Sequence, residues 1–548
     1  MVDPILSQAR IEQMRREGWW RDENLLDYFD AAVKNCPEHI AVVDYRLESD
    51  EKNALTYREL NARVTRIALA LAHYGVEKQD IVSFQLPGWW EFVAIHLACM
   101  RIGAVSNPLM TIFRERELSY MVDFAEARVM IIPKVVRNFD HEAMLAGLRD
   151  KLPRLQHLFV VGGDGENSFE SALLNHSLAD SVDATALFTE RKLGPNDVMQ
   201  LMYTSGTTGM PKGVMHGSNT LLYNILSFIE RTRLTGDDVI FMGSPLAHQT
   251  GFTYGMWLPI VLQARMVLLD QWQGEIAWKL IAEENVTFAM GATPFLADLT
   301  NSEAADQHNS ECFRMFVCGG APVPRVLAER AAKKLQIDLM TVWGMSECGA
   351  ITTTRLDDPV EKIFGTDGVA YPGTELKILD QEGCVAPAGE EGRLYQRSPA
   401  TFIGYLKRPD TYALDEDGFF DTGDLARLDQ DGYVRITGRS KDIIIRGGEN
   451  IPVVEVENML YEHPATVDVA VVAMPDERLG ELGCCFVTLQ PGHTLTFAQM
   501  QAFLSDRQVT KTYWPERLEI IDVMPRTASG KIQKFQLREQ AKNLRKFS

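Results

Sequence analysis

Tyr203-Thr-Ser-Gly-Thr-Thr-Gly-Met-Pro-Lys-Gly213 is the stretch on which the reading of this chain turns. Small, hydroxylated and glycine residues run up to a lysine, which is the chemistry of a phosphate cradle. Glycines let backbone amides approach an anion closely, Ser and Thr hydroxyls add donors, and Lys212 adds a point charge. Residues 197–203 read as a strand, so the loop sits at a strand's carboxyl end, where α/β sheets bind ligands. The common P-loop needs G-x-x-x-x-G-K-[ST] opening a helix. Here Gly206, Gly209 and Lys212 are spaced differently, and Pro211 biases Met210 away from helical geometry. Taken alone, the stretch also reads as a flexible Gly/Thr-rich surface loop, so the rest of the chain must decide.

The 548 residues suggest roughly three to four domain-sized units, or one large domain with subdomains. Apolar content of 46% and charged content of 24% are ordinary for a globular protein. A formal charge of −20 argues against a nucleic-acid binder or a protein of anionic membranes, but leaves room for a local basic pocket. The eight cysteines show no CxxC pair and no repeated spacing, so free thiols in a reducing compartment are expected rather than zinc or disulfides. The N-terminal stretch lacks the apolar core of a signal peptide. No stretch approaches the roughly 20 apolar residues that span a bilayer. Leu544-Arg-Lys-Phe-Ser548 is not a peroxisomal address. The expectation is a cytoplasmic protein without nucleic-acid partner or integral membrane segment, with a homo-oligomer left open.

The first two-thirds alternate short apolar runs with helical patterns, the signature of βαβ units around a largely parallel sheet. Strands are expected at 81–86, 129–132, 158–161, 239–241, 266–269, 287–290 and 315–318, and helices at 89–102, 278–284 and 324–334. Residues 162–196 are polar and read as a loop or excursion. After about residue 365, turn signals at Gly368, Pro372-Gly373, Gly383, Gly392, Gly418 and Asp431-Gly432 indicate a compact β-rich subdomain. Beyond Gly438-Arg-Ser-Lys-Asp442 lies a new small unit: strand 443–445, helix 453–462, strand 467–472, helix 497–506. The fold class is therefore α/β: a large N-terminal domain (1–438) of α/β subdomains plus a β-rich one, a junction at 439–441, and a small α+β domain (442–548).

Further signals follow the loop in order. Ser244-Pro-Leu-Ala-His248 precedes a Gly/aromatic stretch, Gly251-Phe-Thr-Tyr254. Cys318-Gly-Gly-Ala-Pro322 follows one strand, and Trp343-Gly-Met-Ser-Glu347 ends another. Asp421-Thr-Gly-Asp424 and Gly438-Arg439 bracket the boundary, and Pro525-Arg-Thr-Ala-Ser-Gly-Lys531 lies near the C-terminus. Individually each has a bland reading: Asp424 as a turn former, Glu347 as a helix-start residue, Lys531 as a solvated lysine, His248 as a buried structural histidine. In this order and spacing they are specific. The chain resembles the adenylate-forming superfamily of acyl-CoA synthetases, carrier-protein adenylation domains and luciferases. The resemblance runs from Trp19-Trp20 to Lys531, and is closest to ligases of short- and medium-chain fatty acids and of cyclohexanecarboxylate.

The resemblance implies a two-step ligase using ATP, Mg²⁺ and coenzyme A, with a mobile small domain. It places the ATP β/γ-phosphates on Thr204, Ser205, Gly206, Thr207, Thr208, Gly209 and Lys212. Mg²⁺ falls to Glu347, the ribose to Asp424, and nucleotide fixing to Arg439. Gly319, Gly320, Ala321 and Pro322, with Trp343, would frame the adenine, and Gly344 and Ser346 would also bind ATP. Lys531 would reach the forming acyl-adenylate, where an ammonium stabilises developing negative charge. The acyl pocket would comprise His248 at its carboxylate end, Phe252, Tyr254, Met256, Trp257, Thr293, Cys318 and Gly319. Lys441 would be the hinge, and Arg446, Gly447 and Gly448 would pass pantetheine. The chain departs from the family in Trp343 and Ser346, where Tyr and Thr are common. Trp keeps a flat apolar wall and Ser keeps a hydroxyl. Trp514 before Pro515 leaves the CoA contacts of that region open. The apolar pocket disfavours amino-acid substrates, which call for a buried charge partner. Linear, alicyclic and aromatic acids stay open, as do carrier loading and nucleotide binding without turnover.

Overall fold

The computed structural model describes residues 3–175, 184–204, 211–306, 311–320, 323–440, 442–446, 449–476, 478–507, 509–527 and 530–544. Two sheets form the body of the large domain. One has six strands in the order Lys212–His216, Gln200–Thr204, Val105–Pro108, Ile81–Phe84, Val129–Pro133, His157–Val161. The other has nine, with a parallel centre running from Ile40–Arg46 through Arg265–Leu269, Val239–Met242, Phe288–Gly291 and Met315–Gly319 to Asp338–Met345. Alternation in the sequence signals βαβ units without saying which sheet a strand joins, so the expected sheet is in fact two.

The helix Trp90–Arg101 explains why they stack. Every residue from Trp90 to Met100 is buried, and a helix apolar all round must be covered on all sides. It shares one core with Val82, Phe84 and Ile131 of the six-stranded sheet and with Ile240, Met266 and Val317 of the nine-stranded one. Outer layers close the other faces. Gly274–Glu283 and Arg325–Leu335 cover the larger sheet, and Glu115–Phe124 and His141–Leu148 the smaller. A four-stranded antiparallel sheet, Glu375–Leu379 to Val434–Arg439, is the β-rich subdomain.

The small unit begins with Ile444–Arg446 and includes Val453–Tyr461, Thr466–Asp476 and Phe497–Asp506. The last of these helices starts where its sequence says: Thr496 and Gln499 form a reciprocal capping box that satisfies two orphan amide donors. The structure adds the strand Gly480–Leu489, which pairs along the whole of Thr466–Asp476. Residues 162–196 contain a helix, Ala184–Arg191, within the polar excursion.

The strand before the loop starts at Gln200 rather than residue 197, because the Asp197 carboxylate accepts the Gly194 N–H at 2.8 Å and closes a turn there. At its other end Thr204 pairs with Lys212 across an antiparallel register. The chain therefore continues after the loop as a strand, Lys212–His216, not as the helix of a P-loop; Pro211 is compatible with the first and opposes the second. Among the described residues no helix is long and apolar enough to cross a membrane.

Candidate active site

Glu347 owes its position to a pinched hairpin. Asp338–Met345 and Gly349–Thr353 pair antiparallel, with the register shifting between Trp343 and Gly344. A Cβ at Gly344 would lie 2.0 Å from the Gly349 carbonyl oxygen, so only glycine permits this approach. The turn that follows is tied from below: His216 Nε2 donates to the Ser346 carbonyl at 2.8 Å. Burial pulls the His216 pKa down to about 4, so the ring is neutral. Glu347 itself is only 6% exposed, and its Oε1 accepts the Tyr405 hydroxyl at 2.7 Å. Burial and the adjacent carboxylate hold the Tyr405 phenol well above its usual range. The Lys212 ammonium lies 4.2 Å from the centre of the same ring. Tyr405 thus links the loop's lysine to the carboxylate.

Asp424 is 2% exposed. Its Oδ2 accepts the Trp343 indole N–H at 2.9 Å. Arg439, its cross-strand partner, places Nε 2.9 Å from Oδ1. That approach is off the hydrogen-bonding direction, and among the described residues Oδ1 has no hydrogen-bond donor. A buried acceptor oxygen is left without a hydrogen bond.

Lys531 reaches this group from the small domain. Its turn is closed by Thr527, which exchanges bonds with the Lys531 backbone, and by Arg526, whose Nη1 donates to the Gly530 carbonyl at 2.5 Å. Gly530 rests on Pro294 and Phe295 of the large domain, and the Lys531 side chain crosses Gly320, where a Cβ would meet its Cε at 3.4 Å. Burial draws the Lys531 pKa down to about 8; Arg439 pushes the same way, and Asp424 and Glu347 oppose it. His248 is held neutral, at about 3, by burial and then by the Lys531 charge.

Two cavities meet at Lys531. A cleft of about 780 Å³ between the domains is lined by Thr293, Trp343, Asp424 and Arg439 among others. A pocket of about 50 Å³ is lined by His248, Tyr254, Met290, Gly319, Met345 and Ser346, among others. Gly320, Gly344 and Lys531 line both.

The structure thus brings together Lys212, Glu347, Asp424, Arg439, Trp343, Gly344, Ser346, Gly320, His248 and Lys531, with Thr204 at the base of the loop. Of the expected acyl-pocket residues, Tyr254 and Gly319 line the small cavity and Thr293 the cleft. Phe252, Met256, Trp257 and Cys318 are fully buried and line neither cavity. Trp257 donates its indole N–H to His96 at 3.2 Å, and Phe252 packs edge-on against the same imidazole. Arg446 pairs with Glu516 at 2.6 Å inside the small domain, away from both cavities. Ser205, Gly206, Thr207, Thr208, Gly209, Ala321, Pro322, Lys441, Gly447 and Gly448 lie outside the described residues. Tyr405 and His216 are absent from the sequence reading. Gly404-Tyr405 after an apolar run is the one local signal that marks the former.

Residues 29–406 match the AMP-binding enzyme family and residues 455–531 match the AMP-binding enzyme C-terminal domain. The chain belongs to the AMP-binding enzymes. This AMP-binding enzyme is 38% identical over 542 residues to the medium-chain fatty-acid–CoA ligase of Escherichia coli (strain K12), covering 98% of this chain and 94% of that one. It is 32% identical over 536 residues to the 2,3-dihydroxybenzoate-AMP ligase of Bacillus subtilis (strain 168), covering 96% and 95%. Among solved structures, the anthranilate CoA ligase AuaEII in complex with anthranoyl-AMP superposes with a TM-score of 0.84 at 25% identity, covering 95% and 98%. The AMP-binding enzyme described here is an AMP-forming acyl-CoA synthetase.

Proposed function

We propose that the chain joins a short- or medium-chain or alicyclic carboxylic acid to coenzyme A in two half-reactions. A carboxylate oxygen attacks the α-phosphorus of ATP, the bond to the β-phosphate breaks, and pyrophosphate leaves an acyl-adenylate. The CoA thiol, giving up its proton, then attacks the acyl carbon, and AMP departs. The observation that carries this reading is the seat of Lys531. An ammonium from the small domain crosses Gly320 at the junction of a nucleotide-sized cleft and a small apolar pocket, within reach of Asp424 and Glu347.

In this reading Lys531 neutralises charge on the reacting carboxylate and α-phosphate. The 204–212 loop holds the departing phosphates with Lys212. The open Oδ1 of Asp424 suits a ribose hydroxyl donor, and Trp343 with Gly320 and Gly344 bounds the base. Mg²⁺ keeps one or two protein carboxylates and draws its other oxygens from phosphates and water. Glu347, a hard oxygen donor beside the phosphate loop, fits that share, and the ion would offset phosphate charge. Neutral His248 flanks the acid's carboxylate.

The proposed division is 1–438 and 442–548 about a hinge at 439–441. Rotation there withdraws Lys531 and presents the 446–448 loop to pantetheine. Among the described residues no Asp or Glu lines the small pocket, which supports a hydrocarbon acid over an amino acid.

A second reading, loading of a carrier protein, draws on the likeness to the 2,3-dihydroxybenzoate-AMP ligase. A panel of carboxylates with Mg·ATP, followed with and without CoA, separates the two. Acid-dependent pyrophosphate with CoA-dependent AMP and thioester supports the ligase. Pyrophosphate without thioester supports carrier loading, and no product from any acid sinks both.

A further inference from the structure

The small pocket has one wall that cannot give. Tyr254 is 2% exposed, and its hydroxyl is held twice: it donates to Asn224 Oδ1 at 2.5 Å and accepts the Ala350 N–H at 2.9 Å. Asn224 is fixed in turn, its amide donating to the carbonyls of Cys348 at 3.0 Å and Ala350 at 2.5 Å. Behind the phenol lies packed core. The Tyr254 ring sits 4.6 Å from that of Phe228, which meets Phe288 edge-on at 6.0 Å, and both phenylalanines are fully buried. Swinging Tyr254 aside would strand a buried oxygen and a buried amide and force a close-packed layer apart.

The remaining lining differs in kind. Met290 and Met345 are unbranched and adaptable, while Gly291, Gly319 and Gly349 offer no side chain to move. The pocket holds about 50 Å³. One water-sized group needs roughly 10–15 Å³ on this measure, so about four such groups fit in all before a methionine must shift.

We propose that Tyr254 is a fixed end wall that restricts this enzyme to acids with a short or single-ring acyl group. It excludes longer linear chains. The inference rests on the carboxylate-activating reading above and narrows its substrate class. On this proposal, movement of the methionines admits a ring, while the fixed Tyr254 stands in the way of a lengthening chain.

The test is the ratio of kcat/KM values for acid-dependent pyrophosphate release across butanoate, hexanoate, cyclohexanecarboxylate, octanoate and decanoate. The wild type should favour hexanoate or cyclohexanecarboxylate over decanoate by about tenfold or more, the scale on which a pocket rejects excess methylenes. Tyr254→Ala should raise the decanoate/hexanoate ratio by about tenfold. Tyr254→Leu, which leaves a smaller void, should move it the same way and stands in if the alanine variant fails to fold. Wild type that uses decanoate as well as hexanoate, or folded variants with an unchanged ratio, would overturn the proposal. Thermal stabilisation by hexanoyl- and decanoyl-sulfamoyl adenosine, read on the same proteins, decides the wall without turnover. If no acid releases pyrophosphate, the activating reading fails, yet a stronger shift by the hexanoyl than the decanoyl analogue still upholds the wall and equal shifts still reject it.

Discussion

The Tyr405 hydroxyl donates to Glu347 Oε1 at 2.7 Å while the Lys212 ammonium sits 4.2 Å from the centre of the Tyr405 ring. One phenol therefore orients a buried carboxylate with its edge and steadies the Lys212 cation with its face. Tyr405→Phe removes the first role and keeps the second. A hydrogen bond to a charged group contributes about 1.5–3 kcal/mol. Adenylation should thus slow by roughly ten- to a hundred-fold, with a higher Mg²⁺ requirement, when pyrophosphate release is followed across a magnesium titration. An unchanged rate and magnesium profile would remove Tyr405 from the site.

Trp343 stands where the family commonly has tyrosine, and its indole N–H is the hydrogen-bond donor to Asp424 Oδ2. Trp343→Phe keeps a flat wall but leaves a buried carboxylate oxygen without that donor. The KM for ATP should rise several-fold with the KM for acid nearly constant. A change confined to the acid would show that Trp343 serves the other pocket.

Lys531 titrates near 8 because burial disfavours its ammonium. In the proposed mechanism the first half-reaction needs that charge, so its rate should fall as pH rises through about 8. Thioester formation from supplied acyl-adenylate should lack this limb. His248, drawn down to about 3, stays neutral across the working range and should contribute no step between pH 5 and 7. Parallel pH profiles for both half-reactions would contradict the assignment of Lys531 to the first.

Arg526 braces the Lys531 turn through the Gly530 carbonyl and pairs with Asp468 at 2.5 Å. Across the cleft, Asp298 of the large domain feels the Arg526 charge, which opposes the upward pull of burial on its carboxyl pKa. Asp298→Asn preserves shape and the acceptor for the Trp272 indole while removing this attraction. Even an exposed ion pair contributes only about 0.2–1 kcal/mol, which bounds this through-space attraction from above. Adenylation should slow by at most about fivefold while thioester formation holds, as single-turnover assays of each step would show.

Much of this was legible because the relevant signals are local. The runs at 129–132 and 315–318 read as strands since parallel strands covered on both faces lose their polar alternation. The motifs that suggest Lys212, Glu347, Asp424 and Lys531 are each a few adjacent residues, and the structure brings these four near one another. What escaped depends on contacts between distant segments. Tyr405 matters through Glu347 and Lys212, and His216 through Ser346; neither relation leaves a periodicity or spacing in the chain. Phe252 and Trp257, expected in the acyl pocket, line neither cavity. Apolar residues on the π-helical turn Gly251–Trp257 can face a ligand or the core, and composition does not say which. Only packing against His96 assigns these two to the core, while Tyr254 of the same turn meets the pocket.

The most direct test separates the half-reactions in Lys531→Ala. Acid-dependent pyrophosphate release should fall by about a hundredfold or more, the scale of losing one preorganised charge partner in a transition state. Conversion of supplied acyl-adenylate and CoA to thioester should stay within about twofold of wild type. Equal loss of both steps, or retention of both, would contradict the claim that this small-domain lysine, lying across Gly320, serves carboxylate activation.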